Sequence, residues 1–330
     1  MPCVFKGYAC TLAFLYRYRY NASALKHLLD NSFPIRFAKT PHMNAFNAIG
    51  LFSKQEGETV EATLRLLWDY LSARHYAVYA TEIPASLLNI PATDELVLAR
   101  QIDLAIVVGG DGTLLSAGRL LTAYSVPILG VNLGRVGFLV DISPSEMLIQ
   151  LEKILNGEFI EEPRCLLQAS AWRGAEQLGE NIALNDVVLH ARHQIRMIEF
   201  TTYINGHFVN TQRADGMIIA TPTGSTAYAL SSGGPIIYPS MDATLLVPIC
   251  PHTLSSRPLL VPNQNQIEIK LGSQRSVDSR VSFDGHQNID LQSDDRLVIK
   301  AYPEKMRLLH PQHYDYYHIL RTKLHWGTQL

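Results

Sequence analysis

An α/β N-terminal domain on a parallel, doubly wound sheet, followed by an all-β, sandwich-like C-terminal domain, is the fold class the sequence predicts. Three observations predict it. Between residues 43 and 141, strand-like runs alternate with runs of helical period, the pattern of a parallel sheet. Leu104-Ala105-Ile106-Val107-Val108 is apolar without interruption, as a strand buried on both faces must be. After Gly157 the helical period fades, and short β-rich runs alternate with turn signals.

The first domain opens after Met43 with a strand over 46–52. Val60, Leu64, Leu67, Trp68 and Leu71 then recur at helical spacing. A strand over 76–81, the buried run 104–108, a helix over 113–124 and a strand over 127–131 continue the alternation. Ser143 and Pro144 read as the N-cap and first position of a helix reaching about 155. In the second domain Asn205-Gly206 is a strong hairpin signal between strands at 197–204 and 207–212. Runs at 217–220, 245–250, 266–271, 277–283 and 297–301 complete the β series. The expected division is 43–141 for the α/β domain, 142–305 for the β-rich domain and 306–330 for a tail of mixed pattern.

Composition excludes several classes. The chain has 330 residues, 47% hydrophobic and 18% charged, with a formal charge of −2. That is a globular composition, unlike the low-hydropathy, highly charged chains that stay disordered. No apolar run approaches the ~20 residues of a membrane helix, and the near-zero charge gives no reason to expect nucleic acid as a partner. The charge is unevenly spread. Residues 1–42 carry six basic residues against Asp30 alone, a net +5, while the remainder holds 22 basic and 29 acidic residues, or −7. Residues 1–42 therefore read as an extension: a targeting peptide, an accessory arm, or sequence upstream of a true start at Met43, the last being the expectation. Cys165 and Cys250, with no CxxC or Cys/His cluster, read as reduced thiols in a cytoplasmic protein, with no protein-built metal site.

Chemistry concentrates in three segments. Gly109-Gly110-Asp111-Gly112-Thr113 joins the buried strand to a helix, at the sheet edge where open α/β sheets bind ligands. Glycines admit a phosphate close to the backbone, and the helix start supplies free N–H groups. Asp111, beside such phosphates, can orient a hydroxyl nucleophile and accept its proton. The alternative is a tight turn in which Asp111 caps the helix. Asn185-Asp186 places two polar residues in an otherwise apolar run, where each needs a partner if buried; the alternative is a strand bulge or an edge. Asp215-Gly216, an apolar run, then Thr221-Pro222-Thr223-Gly224-Ser225-Thr226-Ala227-Tyr228 and Ser231 supplies more hydroxyls and glycines than packing requires. Tyr228 offers a ring for a base to stack on, or a packing residue.

Together, in this order, these segments resemble the NAD kinase family, over about residues 43–330. Gly-Gly-Asp-Gly-Thr alone is also close to motifs of lipid kinases and phosphofructokinases; the combination with the other two segments, Pro251-His252-Thr253-Leu254 and Phe283-Asp284-Gly285 is specific. The resemblance implies a Rossmann-like, phosphofructokinase-like first domain, a tail returning to it, and transfer of the ATP γ-phosphoryl group to the 2′-hydroxyl of the adenosine ribose of NAD. It implies Asp111 as proton acceptor, with Gly109, Gly110, Gly112 and Thr113 as the ATP-phosphate loop. NAD contacts are implied for Asp111, Gly112, Asn185, Asp186, Arg196, Arg213, Asp215, Thr226, Ala227, Tyr228 and Ser231, and for His286, where many relatives carry Gln. It further implies magnesium (Mg2+) held mainly by ATP phosphates, and a homo-oligomer, dimer or tetramer, with sites shared between subunits. A dinucleotide sensor without catalysis is the contrasting class, and NADP formation separates the two.

Overall fold

The computed structural model describes residues 45–134, 137–192, 197–273 and 279–326. The extension at 1–42 and Arg196 lie outside the described residues.

Strands β1 (Ala48–Phe52), β2 (Ala77–Ala80), β3 (Leu104–Val108) and β4 (Ile128–Val131) pair in parallel. Helices α1 (Glu58–Ala73), α2 (Glu82–Leu88), α3 (Glu95–Gln101) and α4 (Asp111–Thr122) connect them. Alternate residues of each strand face opposite sides, and both sides are covered. Ile49, Leu51, Leu104 and Ile106 pack with Val60, Leu64, Leu67 and Leu71 of α1. Ala105, Val107 and Ile128 pack with Leu98 of α3 and with Leu114 and Leu121 of α4. All five residues of β3 are buried, which is why that run carries no polar residue.

The chain crosses into the second domain later than expected. Helix α5 (Met147–Leu155) buries Leu151, Ile154 and Leu155 in the first domain's core. It begins at Met147, with Ser143–Glu146 as a preceding turn, since the Glu146 N–H bonds Ser143 O. Strand β5 (Ile160–Arg164) then joins the first sheet as its edge. Ile-Glu-Glu-Pro-Arg has no apolar signature because an edge strand is half solvated and tolerates proline. Thus residues 142–164, expected in the β-rich domain, pack with the first.

Twelve strands build the second domain: β6 (Leu167–Arg173), β7 (Glu176–Ala183), β8 (Asp186–Ala191), β9 (Ile198–Ile204), β10 (His207–Ala214), β11 (Gly216–Ala220), β12 (Ala243–Ile249), β13 (Leu259–Pro262), β14 (Ile267–Leu271), β15 (Ser279–Phe283), β16 (Gln287–Leu291) and β17 (Arg296–Ala301). They form two six-stranded antiparallel sheets, β10-β9-β14-β17-β6-β7 and β13-β12-β11-β8-β15-β16. Phe200, Ile269 and Leu297 of one meet Val187, Leu189, Ile219 and Phe283 of the other in a common core, a sandwich. On the second sheet's outer face, Ile218, Leu245 and Val247 are covered by Ala229 and Ile237, so β11 is buried on both sides. Ala229 belongs to α6 (Tyr228–Ser231), a single turn.

The last elements return. Strand β18 (Met306–His310) inserts between β4, in parallel, and β5, antiparallel. Helix α7 (Tyr316–Leu324) follows, with the Asp315 carboxylate accepting the Tyr317 N–H.

Candidate active site

The Gly-rich segment sits at the carboxyl end of β3. Gly109 has φ +155°, and a β-carbon there would press on Thr113, so glycine is required. A β-carbon at Gly110 or Gly112 would meet nothing within 4 Å; the space over the start of α4 is open. Asp111 is the first residue of α4, but its carboxylate does not cap its own helix. Oδ2 accepts the Phe138 N–H (2.9 Å) and Oδ1 the Leu139 N–H (3.1 Å). A β-carbon on Gly137 would collide with that carboxylate. Gly137 is thus a site residue that the sequence did not single out; its signal is a second glycine-bearing loop after the next parallel strand.

Asn185 and Asp186 do not lie inside one strand. Leu184 and Asn185 form the crossover from β7, in one sheet, to β8, in the other. A crossover loses ladder bonds, so other groups must supply them. The Thr221 hydroxyl donates to Leu184 O (2.6 Å) and the Thr221 N–H to Asn185 O (2.9 Å). Gly224 packs so tightly on the Asn185 carbonyl that no side chain fits there. From the other side, Asp284 accepts the N–H groups of Leu184 (3.0 Å), Asn185 (2.8 Å) and Asp186 (3.1 Å). Asp284 itself takes φ +46° in the β15–β16 turn and is paired with Arg119 of α4 at 2.6 Å. This explains the Phe-Asp-Gly signal: Asp284 holds the crossover and ties it to the helix that begins with Asp111.

Two cavities meet at the crossover. The larger, about 660 Å³, is lined by Asn185, Asp186, His190, Asp215, Ala227 and Tyr228, with Asp284 and Ser282 behind. The smaller, about 220 Å³, is lined by Asp111, Arg164, Thr223, Thr226, Tyr316 and again Asn185 and Ala227. Seven of the sequence-predicted residues are therefore brought together: Asp111, Asn185, Asp186, Asp215, Thr226, Ala227 and Tyr228. Arg213, Ser231 and His286 are exposed and line neither cavity.

Electrostatics differ between the two. In the larger cavity burial, reinforced by the Asp284 carboxylate, pushes Asp186 up to about 7. Behind the smaller one runs a buried ionic chain. His310, fully buried, bridges Asp141 (Nδ1, 3.0 Å) and Glu162 (Nε2, 3.2 Å). Glu162 in turn accepts Arg164 Nε at 2.8 Å. Burial opposes the charge on His310, but the two carboxylates outweigh it and hold its pKa above the ordinary imidazole value. Among the described residues no group of three or more His, Cys, Asp or Glu is arranged to hold a metal ion.

Comparison with known proteins gives one family. Residues 55–159 match the model of the ATP-NAD kinase N-terminal domain, and residues 184–310 that of the ATP-NAD kinase C-terminal domain. The NAD kinase of Hahella chejuensis is 46% identical over 289 residues, 87% of this chain and 98% of that protein. Among solved structures, the yeast NADH kinase complexed with NADH superimposes with a TM-score of 0.79 at 24% identity, covering 87% of this chain and 90% of the other. An NAD kinase from Archaeoglobus fulgidus in complex with ATP gives 0.67 at 25% identity, covering 84% and 98%.

Proposed function

Because the chain belongs to the NAD kinase family, we propose that Asp111 is the residue at which its reaction turns. The enzyme transfers the γ-phosphoryl group of ATP to the 2′-hydroxyl of the adenosine ribose of NAD, giving NADP and ADP. The observation that carries the assignment is geometric: the Asp111 carboxylate lines a cavity that shares Asn185 and Ala227 with a larger one. The adenosine end of NAD occupies the larger cavity, against Asn185, Asp186, Asp215 and the ring of Tyr228, and its ribose points toward Asp111. Gly112 and Thr226 flank the ribose.

Two backbone N–H groups fix the carboxylate, so it meets the 2′-hydroxyl already oriented. The 2′-oxygen attacks the γ-phosphorus, and the bond from that phosphorus to the β–γ bridging oxygen breaks. The hydroxyl proton passes to Asp111 as the new O–P bond forms, and ADP leaves with the electron pair. Gly109, Gly110, Gly112 and Thr113 form the phosphate loop; the open space above Gly110 and Gly112 suits backbone N–H contacts to oxygen.

The donor set here fits a magnesium ion carried on phosphates, not one caged by protein, since among the described residues Asp111 is the only carboxylate lining the smaller cavity. Such an ion neutralises phosphate charge when bound. Arg196, Arg213, Ser231 and His286 are assigned to dinucleotide contacts made with a neighbouring subunit of a dimer or tetramer. Leu254, 95% exposed, and Leu259 and Leu260 on the edge strand β13 provide apolar surface for that contact. The free thiols Cys165 and Cys250 suit a cytoplasmic location. None of the described helices is long and apolar enough to cross a membrane.

Purified protein with NAD, ATP and magnesium, followed by NADP formation, tests the roles. Asp111→Asn lowers kcat by about 10²–10⁴-fold while NAD affinity by calorimetry stays within a few-fold. Near-normal turnover in that variant overturns the assignment.

A further inference from the structure

Arg164 is 2% exposed, yet it lines the small cavity that holds Asp111. A guanidinium has five N–H groups, and four have protein acceptors here. Nε and one Nη2 hydrogen go to Glu162 Oε2, the other Nη2 hydrogen reaches the Tyr314 hydroxyl at 3.4 Å, and one Nη1 hydrogen reaches Thr223 Oγ1 at 3.3 Å. The fifth, on Nη1, has no acceptor among the described residues. Thr223, on the same cavity wall, accepts from Arg164 and so keeps its own hydroxyl hydrogen for another acceptor. A buried cation and a hydroxyl, each with a donor to spare, thus line the same space as the Asp111 carboxylate.

Arg164 does not hold its carboxylate partner alone: Glu162 is shared with His310, which is shared in turn with Asp141. The reaction creates a need for that cation. Before transfer, the cavity receives a neutral hydroxyl. After it, a dianionic phosphate ester stands where the hydroxyl was, beside Asp111. Without a cation in the same lining, the product's 2′-phosphate would be held against a carboxylate in a buried site, which is costly.

We infer that Arg164, seconded by Thr223, receives the transferred phosphoryl group: it contacts the γ-phosphoryl oxygens during transfer and the 2′-phosphate in NADP. Arginine suits this place because its planar fork holds Glu162 with one edge and keeps a rigid donor for phosphate on the other, which an ammonium cannot do. The inference rests on the placement of the NAD ribose beside Asp111.

The test compares NAD and NADP binding, without ATP, in the full-length wild type, Arg164→Gln, Arg164→Lys and Asp111→Asn by calorimetry. Arg164→Gln is expected to weaken NADP by about tenfold or more while changing NAD by less than about threefold, and to lower kcat. Arg164→Lys restores part of the NADP affinity. A residue that only braces the fold would weaken both dinucleotides alike. Asp111→Asn is expected to do the opposite of Arg164→Gln, tightening NADP relative to NAD by removing the repulsion. If Asp111→Asn shifts the ratio and the Arg164 variants do not, the inference falls and the ribose placement stands. If neither shifts it, both fall. Should Arg164→Gln fail to fold, Thr223→Val carries the same comparison, with a several-fold loss of NADP affinity expected and an unchanged ratio overturning the inference.

Discussion

Gly137 has no room for a side chain, because a β-carbon there would fall on the Asp111 carboxylate. Gly137→Ala therefore acts on chemistry before stability: the backbone at Gly137 can give way, but the carboxylate shifts with it. A displacement of about 1 Å at a reacting group can cost about 10²-fold, so kcat should fall on that order while the melting temperature moves by only a few degrees. A second prediction concerns Asp186. Its folded pKa of about 7 lies above the unfolded value, so the neutral carboxyl stabilises the fold. That contribution is complete below the unfolded pKa near 4 and is lost as pH rises through 7, at roughly 1.4 kcal/mol per unit between them. Urea unfolding of wild type and Asp186→Asn should show the wild type losing ground from pH 5 to 7, with parallel curves above about 8. Parallel curves throughout would sink the assignment. Asp111 and Asp186 were legible in the sequence because each sits in a run whose glycines or apolar neighbours make a carboxylate conspicuous. Gly137 and Arg164 were not: what makes them matter is a residue far away in the chain.

Among elements, the contact that matters most joins α4 to the β15–β16 turn. Arg119 lies on α4 two turns beyond Asp111, and its partner Asp284 is fully buried with three N–H groups already on it. Removing the arginine leaves a buried carboxylate short of its counter-charge. Arg119→Met should cost about 3–5 kcal/mol of stability, measured by denaturant unfolding, and should raise the KM for NAD because the Asn185–Asp186 crossover loses its anchor to the helix. Full stability in that variant would show that the amide bonds alone compensate Asp284. The strands and helices that were read from periodicity were found close to their expected places, the helix expected from Ser143 starting latest, at Met147. Helices α2, α3 and α7 and strands β5, β6, β7, β13 and β16 were not read. Two of the misses have a clear cause: β5 is an edge strand with a polar sequence and the Asn185 crossover a change of sheet, and neither leaves a periodic trace.

At the scale of the whole molecule, the two domains are stitched by the chain's last described elements. β18 supplies Met306, Leu308, Leu309 and His310, all buried, to the first domain. A chain ending at residue 305 should lose the cooperative melting of the first domain while the sandwich keeps its own transition, as followed by far-UV circular dichroism and limited proteolysis. Wild-type melting of that truncated chain would overturn the expectation. The two-domain architecture was legible because strand–helix alternation and β-rich texture differ over long stretches. The return of β18 could not be derived from local pattern, since its five residues read like any other strand.

That return sets an order of events during synthesis. β4 and β5 emerge from the ribosome early, and each keeps an open hydrogen-bonding edge toward the gap that β18 later fills. Unpaired edges recruit other strands. The nascent chain therefore carries two adhesive edges through the making of twelve further strands, and its earliest-made domain is the last to close.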